Sequence, residues 1–117
     1  MDDRITTFFA HLAAQGYEPL LHAVSATYRI EIEDKGIWGV IVKDGAMTVT
    51  RDLPQANCVI ICDQALFDDI LQGKQNPTTA FMQGRIHVIG SLSLAQMFQR
   101  LFRIRPETRL SEGEMYE

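Results

Sequence analysis

NPTTAFMQGRIHVIGSLSLAQMFQRLF, residues 76–102, carries a full set of start and stop signals for a short helix, a strand and a closing amphipathic helix. Asn76 suits an N-cap with Pro77 at the first helical position, where a missing N–H costs nothing, and Gly84 ends that turn. Residues 85–89 then read as a strand, broken by Gly90. Ser93 and Gln96 have the spacing of a capping box, in which each side chain satisfies the other residue's free backbone N–H. This predicts a helix that starts near Leu94. From there Leu94, Met97, Phe98, Leu101 and Phe102 fall on one face at i, i+3, i+4, i+7 and i+8, with Gln96, Gln99, Arg100 and Arg103 opposite. Such a stripe serves either as a core face or as the lining of an apolar cavity, and the pattern alone does not choose.

Upstream, Ile5, Phe8, Phe9, Leu12 and Ala13 repeat at helical spacing behind Asp2 and Asp3, whose charges suit a helix N-terminus, and Gly16 stops that helix. Its apolar face is expected to dock on the domain, the other reading being contact with a membrane surface or a partner. Pro19 opens a short helical turn, after which the period changes. Tyr28, Ile30 and Ile32 alternate with Thr27, Arg29, Glu31 and Glu33, the mark of a strand with one dry and one wet side. Residues 37–43 are apolar on both faces and read as an interior strand. Asp44-Gly45 is a two-residue hairpin signal, and residues 46–50 pair back with Met47 and Val49 inward. Residues 52–57, with Pro54, form a crossing loop to a buried strand at residues 58–62. Asp63 caps a helix over residues 64–72 with Leu66, Phe67, Ile70 and Leu71 on its buried stripe, and Gly73 ends it. Helices, three strands, a crossing, a strand, helices, a strand and a last helix predict an α+β fold. Its sheet is mixed, mainly antiparallel and five-stranded, with helices covering one face.

Composition narrows the function classes. A chain of 117 residues predicts one core burying roughly two thirds of the unfolded surface. A net charge of −4 lacks the broad basic field that a phosphate backbone requires, so no nucleic-acid partner is expected. No apolar run approaches the roughly 20 residues of a membrane span, and the acidic start is unlike a secretory signal; the cytoplasm is the expected location. Cys58 and Cys62 lie on one face of a strand but roughly 13 Å apart, too far for a disulfide. His11, His22 and His87 are scattered, so no metal or cofactor is expected. Neither a glycine-rich phosphate loop nor a nucleophile elbow is present. Asp68 and Asp69, adjacent on a helix, do not share a face. The chain is therefore not expected to be an enzyme. Arg85 and His87 read as solvent-facing, the alternative being a lipid head-group site.

The GIWGVIVKDG strand and hairpin at residues 36–45, the strand at 57–62, the helix ending at Gly73, and AFMQGRIHVIG followed by LAQMFQRLF together resemble the sterol carrier protein type-two family, most of all its short stand-alone bacterial members. The resemblance runs over residues 19–106. The N-terminal amphipathic helix (1–16) and the charged tail (106–117) are read as lying outside the resemblance, on either side of a lipid-binding domain (17–105). The resemblance implies an apolar tunnel between sheet and helices that binds or shuttles a fatty acyl chain, a sterol or another lipid without chemical change. Carried onto this sequence, the lining is expected from Trp38 and Val40 on the sheet and Phe67, Ile70 and Leu71 on the middle helix. Phe81 and Met82 on the short helix, and Leu94, Met97, Phe98 and Leu101 on the last, complete it. The chain departs from the family pattern at Asn57, where an acid is common, and at Ser91, where Asp or Asn is common. The alternative reading is an accessory docking or dimerisation module whose cavity is filled by its own side chains. Residue pattern names neither the lipid, nor an enzyme or membrane partner to which it passes, nor an oligomeric state.

Overall fold

Alternation of apolar and polar residues through the middle of the chain builds the sheet, and the helices close over its dry face. In the computed structural model, which describes residues 3–103, the elements in chain order are α1 (Arg4–Gln15), a 3-10 turn (Pro19–Leu21), β1 (Ser25–Glu33), β2 (Gly36–Lys43), β3 (Ala46–Thr50), β4 (Cys58–Asp63), α2 (Gln64–Leu71), α3 (Pro77–Met82), β5 (His87–Gly90), α4 (Leu92–Phe98) and a closing 3-10 helix (Gln99–Arg103). The strand order is β3-β2-β1-β4-β5. β1 and β4 run parallel, and the other three pairs are antiparallel. This is the mixed five-stranded α+β fold expected from the sequence. The charged segment assigned to residues 106–117 lies outside the described residues.

Hairpin chemistry and capping explain most boundaries. Asp44 and Gly45 both have positive φ, 50° and 87°, as the favoured two-residue turn demands. Gly84 and Gly73 end their helices in the same way. Gly84 N–H donates to Phe81 O and Arg85 N–H to Ala80 O; Gly73 N–H donates to Ile70 O and Lys74 N–H to Asp69 O. This paired pattern satisfies the last helical carbonyls. It also explains one departure from expectation. Because Arg85 spends its N–H on the end of α3, the strand begins only at His87 rather than at residue 85. The second departure concerns α4: Ser91, not Ser93, is its cap, accepting from Leu94 N–H at 3.2 Å, so the helix starts two residues early. Serine here does the capping work of the Asp or Asn more usual in the resembling family. Asn57 similarly stands in for an acid, its Oδ1 accepting from Thr27 N–H at 2.9 Å to link the parallel strands.

Residues 51–57 cross the sheet face opposite the helices. Arg29 Nη1 donates to the carbonyls of Leu53 and Pro54 at 3.3 and 2.8 Å, and Gly39, paired with Arg29, leaves room beneath. A Cβ there would sit 2.6 Å from that of Leu53. The stripe of α1, with Ile5, Phe8, Phe9 and Leu12 buried, packs into the common core, so the docked reading of this helix holds.

Asp3 fastens the start of α1. Its carboxylate accepts from Lys35 Nζ at 2.7 Å and from Thr6 N–H at 2.7 Å, and these bonds, Lys35 first, hold its pKa at about 2. A carboxyl lowered in the folded state contributes stability above the ordinary range near 3.9, and that contribution disappears as pH falls through about 2. Thermal melts between pH 7 and 2 should therefore show Asp3→Asn with a lower Tm at neutral pH and a shallower acid slope than the wild type. Parallel slopes would exclude this role.

Candidate functional site

Four side chains form a row across the dry face of the sheet: Trp38, Ile30, Ile60 and Val88 stand opposite one another on β2, β1, β4 and β5. The ends of the row are three strand spacings, roughly 14 Å, apart. They are covered differently. Over the Trp38 end lies α1, whose Phe9 stacks on the indole with centroids 4.6 Å apart and planes at 6°, and on Phe67 at 5.8 Å. Phe8 stacks on Phe102 at 5.4 Å. Edge-on contacts of Phe102 with Phe67 and Phe98 continue the cluster, and Tyr28 meets Phe98 at 5.0 Å. Such pairs hold their geometry beyond simple area burial.

Over the Val88 end the helices part. An apolar pocket of about 90 Å³, partly open to solvent, lies between α2, α3, α4 and the sheet. Its floor is Ile60, Cys62 and Val88, and its walls include Phe67, Ile70, Phe81, Leu92, Ala95, Phe98 and Phe102; the polar side chains are Thr78, Gln96 and Gln99. At the rim Thr78 Oγ1 donates to Gln99 Oε1 at 3.1 Å, joining α3 to the closing 3-10 helix. A broader cleft of about 340 Å³ at the start of α1 and α2 is walled by Asp3, Arg4, Gln64 and Asp68. The 3.3 Å Arg4–Asp68 ion pair crosses it. Its charged, exposed walls suit water rather than a lipid.

The pocket offers shape and dryness rather than reactive chemistry. Among the described residues its lining holds no acid, histidine, lysine or arginine. Burial pushes the Cys62 thiol up to about 12, the charges of Asp63 and Glu33 adding to the effect, and pushes Cys58 to about 11. Both stay protonated at neutral pH, so neither is a ready nucleophile. Both are free and buried. Among the described residues no three of His, Cys, Asp and Glu gather as metal ligands would.

Of the eleven residues expected to line a tunnel, the structure gathers Phe67, Ile70, Phe81 and Phe98 around the pocket. The other seven lie elsewhere. Trp38 and Val40 belong to the end of the sheet that α1 covers, and the far side of the indole faces the Arg51 guanidinium at 4.2 Å. Leu71 and Leu101 are core residues, and Leu94 and Met97 pack against the core. Met82 projects into solvent. For α4 the reason is rotational. Its pocket side runs through Leu92, Ala95, Gln96 and Gln99, while the expected stripe faces the core and shares only Phe98 and Phe102 with the pocket. Gln96 and Gln99 gave that side the look of a solvated surface. The recurring Leu92, Ala95, Phe98 and Phe102 were the available signal. Arg85 and His87 are exposed, and His87 points to the opposite side of β5 from Val88.

A sequence model of the SCP-2 sterol transfer family matches residues 5–103, so it includes nearly all of α1. Sterol carrier protein 2 of Homo sapiens is 28% identical over 90 residues, which is 72% of this chain and 16% of that protein. The chain thus spans about a sixth of the length of this relative. The solution structure of sterol carrier protein domain 2 of Helicoverpa armigera superposes with a TM-score of 0.68 at 24% identity, covering 85% of each chain. The sterol carrier protein 2 of Aedes aegypti, solved in complex with C16 fatty acid (palmitate), gives a TM-score of 0.66 at 18% identity, covering 88% of this chain and 97% of that one.

Tyr28 ties α4, one wall of the pocket, to β1: its buried hydroxyl donates to Leu94 O at 2.8 Å, and burial raises its pKa above the ordinary phenol value. Tyr28→Phe should cost about 1 kcal/mol in denaturant unfolding and speed hydrogen exchange in α4 more than in β1. Exchange rising equally in both elements would show that the bond does not position this helix.

Proposed function

The chain belongs to the SCP-2 sterol transfer family, and on that premise we propose that it binds one apolar chain of a lipid, fatty acyl or isoprenoid in character, in the pocket under α3 and α4, and passes it on unchanged. The observation that carries this reading is an apolar pocket, partly open and, among the described residues, without charged lining, at one end of the sheet. Each methylene moved from water into such a site is worth about 0.8 kcal/mol, which a long chain multiplies before the costs of association and ordering are met. Specificity is loose, because an apolar wall discriminates weakly between chains differing by a methylene.

The volume sets a condition. About 90 Å³ is less than the roughly 150 Å³ that admits benzene, so a long chain enters only as the walls move. In this reading α3 is the wall that moves. Ala80 is its only buried residue, and elements with few buried contacts open most readily. The Thr78–Gln99 bond is the latch between α3 and the closing helix. A second reading, an accessory docking module, draws on the stacked Phe9 and Phe67, which fill the Trp38 end with the protein's own side chains.

Displacement of a fluorescent fatty acid separates the two, alongside native mass spectrometry of organic extracts. Ala95→Trp, placed to fill the pocket, should weaken uptake by at least about tenfold, equivalent to about 1.4 kcal/mol, with the fold retained by circular dichroism. Met97→Ala, outside the pocket, should leave uptake within about twofold. No saturable uptake by the wild type would favour the docking module.

A further inference from the structure

Phe67 has two neighbours of different kinds. It lines the pocket under α3 and α4, and its ring also stacks on Phe9 of α1 at 5.8 Å with planes at 11°. Phe102, a second lining residue, stacks on Phe8 at 5.4 Å. The inner end of the pocket is therefore two aromatic layers thick: Phe67 and Phe102 meet the space, and Phe8 and Phe9 stand behind them. Phe9 is backed in turn by the Trp38 indole at 4.6 Å, and all three backing residues are buried.

The two ends of the pocket answer differently to a guest. At the mouth, α3 has one buried residue and one side-chain bond to the closing helix, so it can swing outward. At the inner end a ring turns only if there is space to turn into, and close packing leaves none. Phe67, held against the flat face of Phe9, stops whatever enters over Val88 and Ile60 from passing on over Ile30 to Trp38, the next positions of the same row across the sheet. The sheet beyond that wall is as apolar as the floor before it. Volume, not polarity, closes the way.

We infer that Phe9, acting through Phe67, is the specificity residue that fixes how long an apolar chain this protein accepts. The inference rests on the proposed uptake of such a chain and deepens it. Thr78 and Gln96, polar residues of the lining, are exposed, so they mark the rim, and the methyl end of the guest is the part that meets Phe67.

The test is the affinity of a series of saturated fatty acids of increasing length, read by displacement of a fluorescent fatty acid. Each methylene that finds a dry site tightens binding about fourfold, the equivalent of about 0.8 kcal/mol. For the wild type, affinity should rise at that rate and level off once the methyl end reaches Phe67. Phe9→Ala should bind the short members as the wild type does and keep gaining through at least about two further methylenes, ending more than about tenfold tighter for the longest. Trp38, the only tryptophan of the chain, reports the same event in a way that lost stability alone would not. A fatty acid brominated at its methyl end should quench Trp38 emission in Phe9→Ala and not in the wild type, where Phe9 stands between. Phe9→Leu, a milder change should the alanine variant fold poorly by circular dichroism, should shift the length profile less and in the same direction. Leu12→Ala is the control. It removes another buried side chain of α1, toward the helix end whose Gly16 carbonyl accepts from Met47 N–H of β3, the edge strand furthest from the pocket, and should leave the length profile unchanged. Uptake with an unchanged profile in both Phe9 variants, an equal shift in Leu12→Ala, or quenching in the wild type overturns the inference and leaves lipid uptake standing. If Phe9→Ala takes up chains and the wild type takes up none, the proposed function fails while the block is still assigned to Phe9. If no variant takes up any chain, both fail.

Discussion

Phe9 held flat between Trp38 and Phe67 is the contact on which the arrangement of this molecule depends. It joins three elements far apart in the chain, α1, β2 and α2, through close-packed aromatic surfaces. Because interiors pack to nearly crystalline density, the stack also decides where space is not filled. With Phe8 and Phe9 occupying the β2 end of the sheet, the apolar pocket among the described residues lies over β4 and β5. The position of the pocket is thus a consequence of how α1 docks, although α1 contributes no side chain to it.

The walls differ in kind. The floor belongs to the interior strand β4 and to β5, the edge strand paired with it, and α4 is tethered through Tyr28 while Phe98 anchors it in the core. By contrast α3 is short and lightly buried, clasped to its neighbour by one side-chain hydrogen bond. A rigid floor with one yielding wall matches the demands of an apolar guest, which needs dryness and room but no exact polar geometry.

Much of this was legible in the residues. Strand alternation at Tyr28, Ile30 and Ile32, the Asp44-Gly45 turn, and the stops at Gly73 and Gly84 are local signals with local causes, and they placed the sheet and its hairpins. The errors arose where two local signals competed. Ser91 and Ser93 both suit a helix cap, and the choice fell to the backbone leaving β5, where Gly90 lies against the Asn57 carbonyl and would clash there with any side chain. Arg85 suits a strand by alternation, yet its N–H completes the end of α3.

The identity of the buried stripes and the sheet with its hairpin turn follow from sequence alone, because period and turn geometry are properties of neighbouring residues. Which side of α4 meets a cavity did not, since that helix is apolar over a wide arc and both sides look alike until a neighbour covers one. Nor did the fate of Trp38 and Val40, which turned on an aromatic pair nearly thirty residues upstream. Packing between distant segments settles such questions, and no stretch of chain read by itself contains its partner's shape.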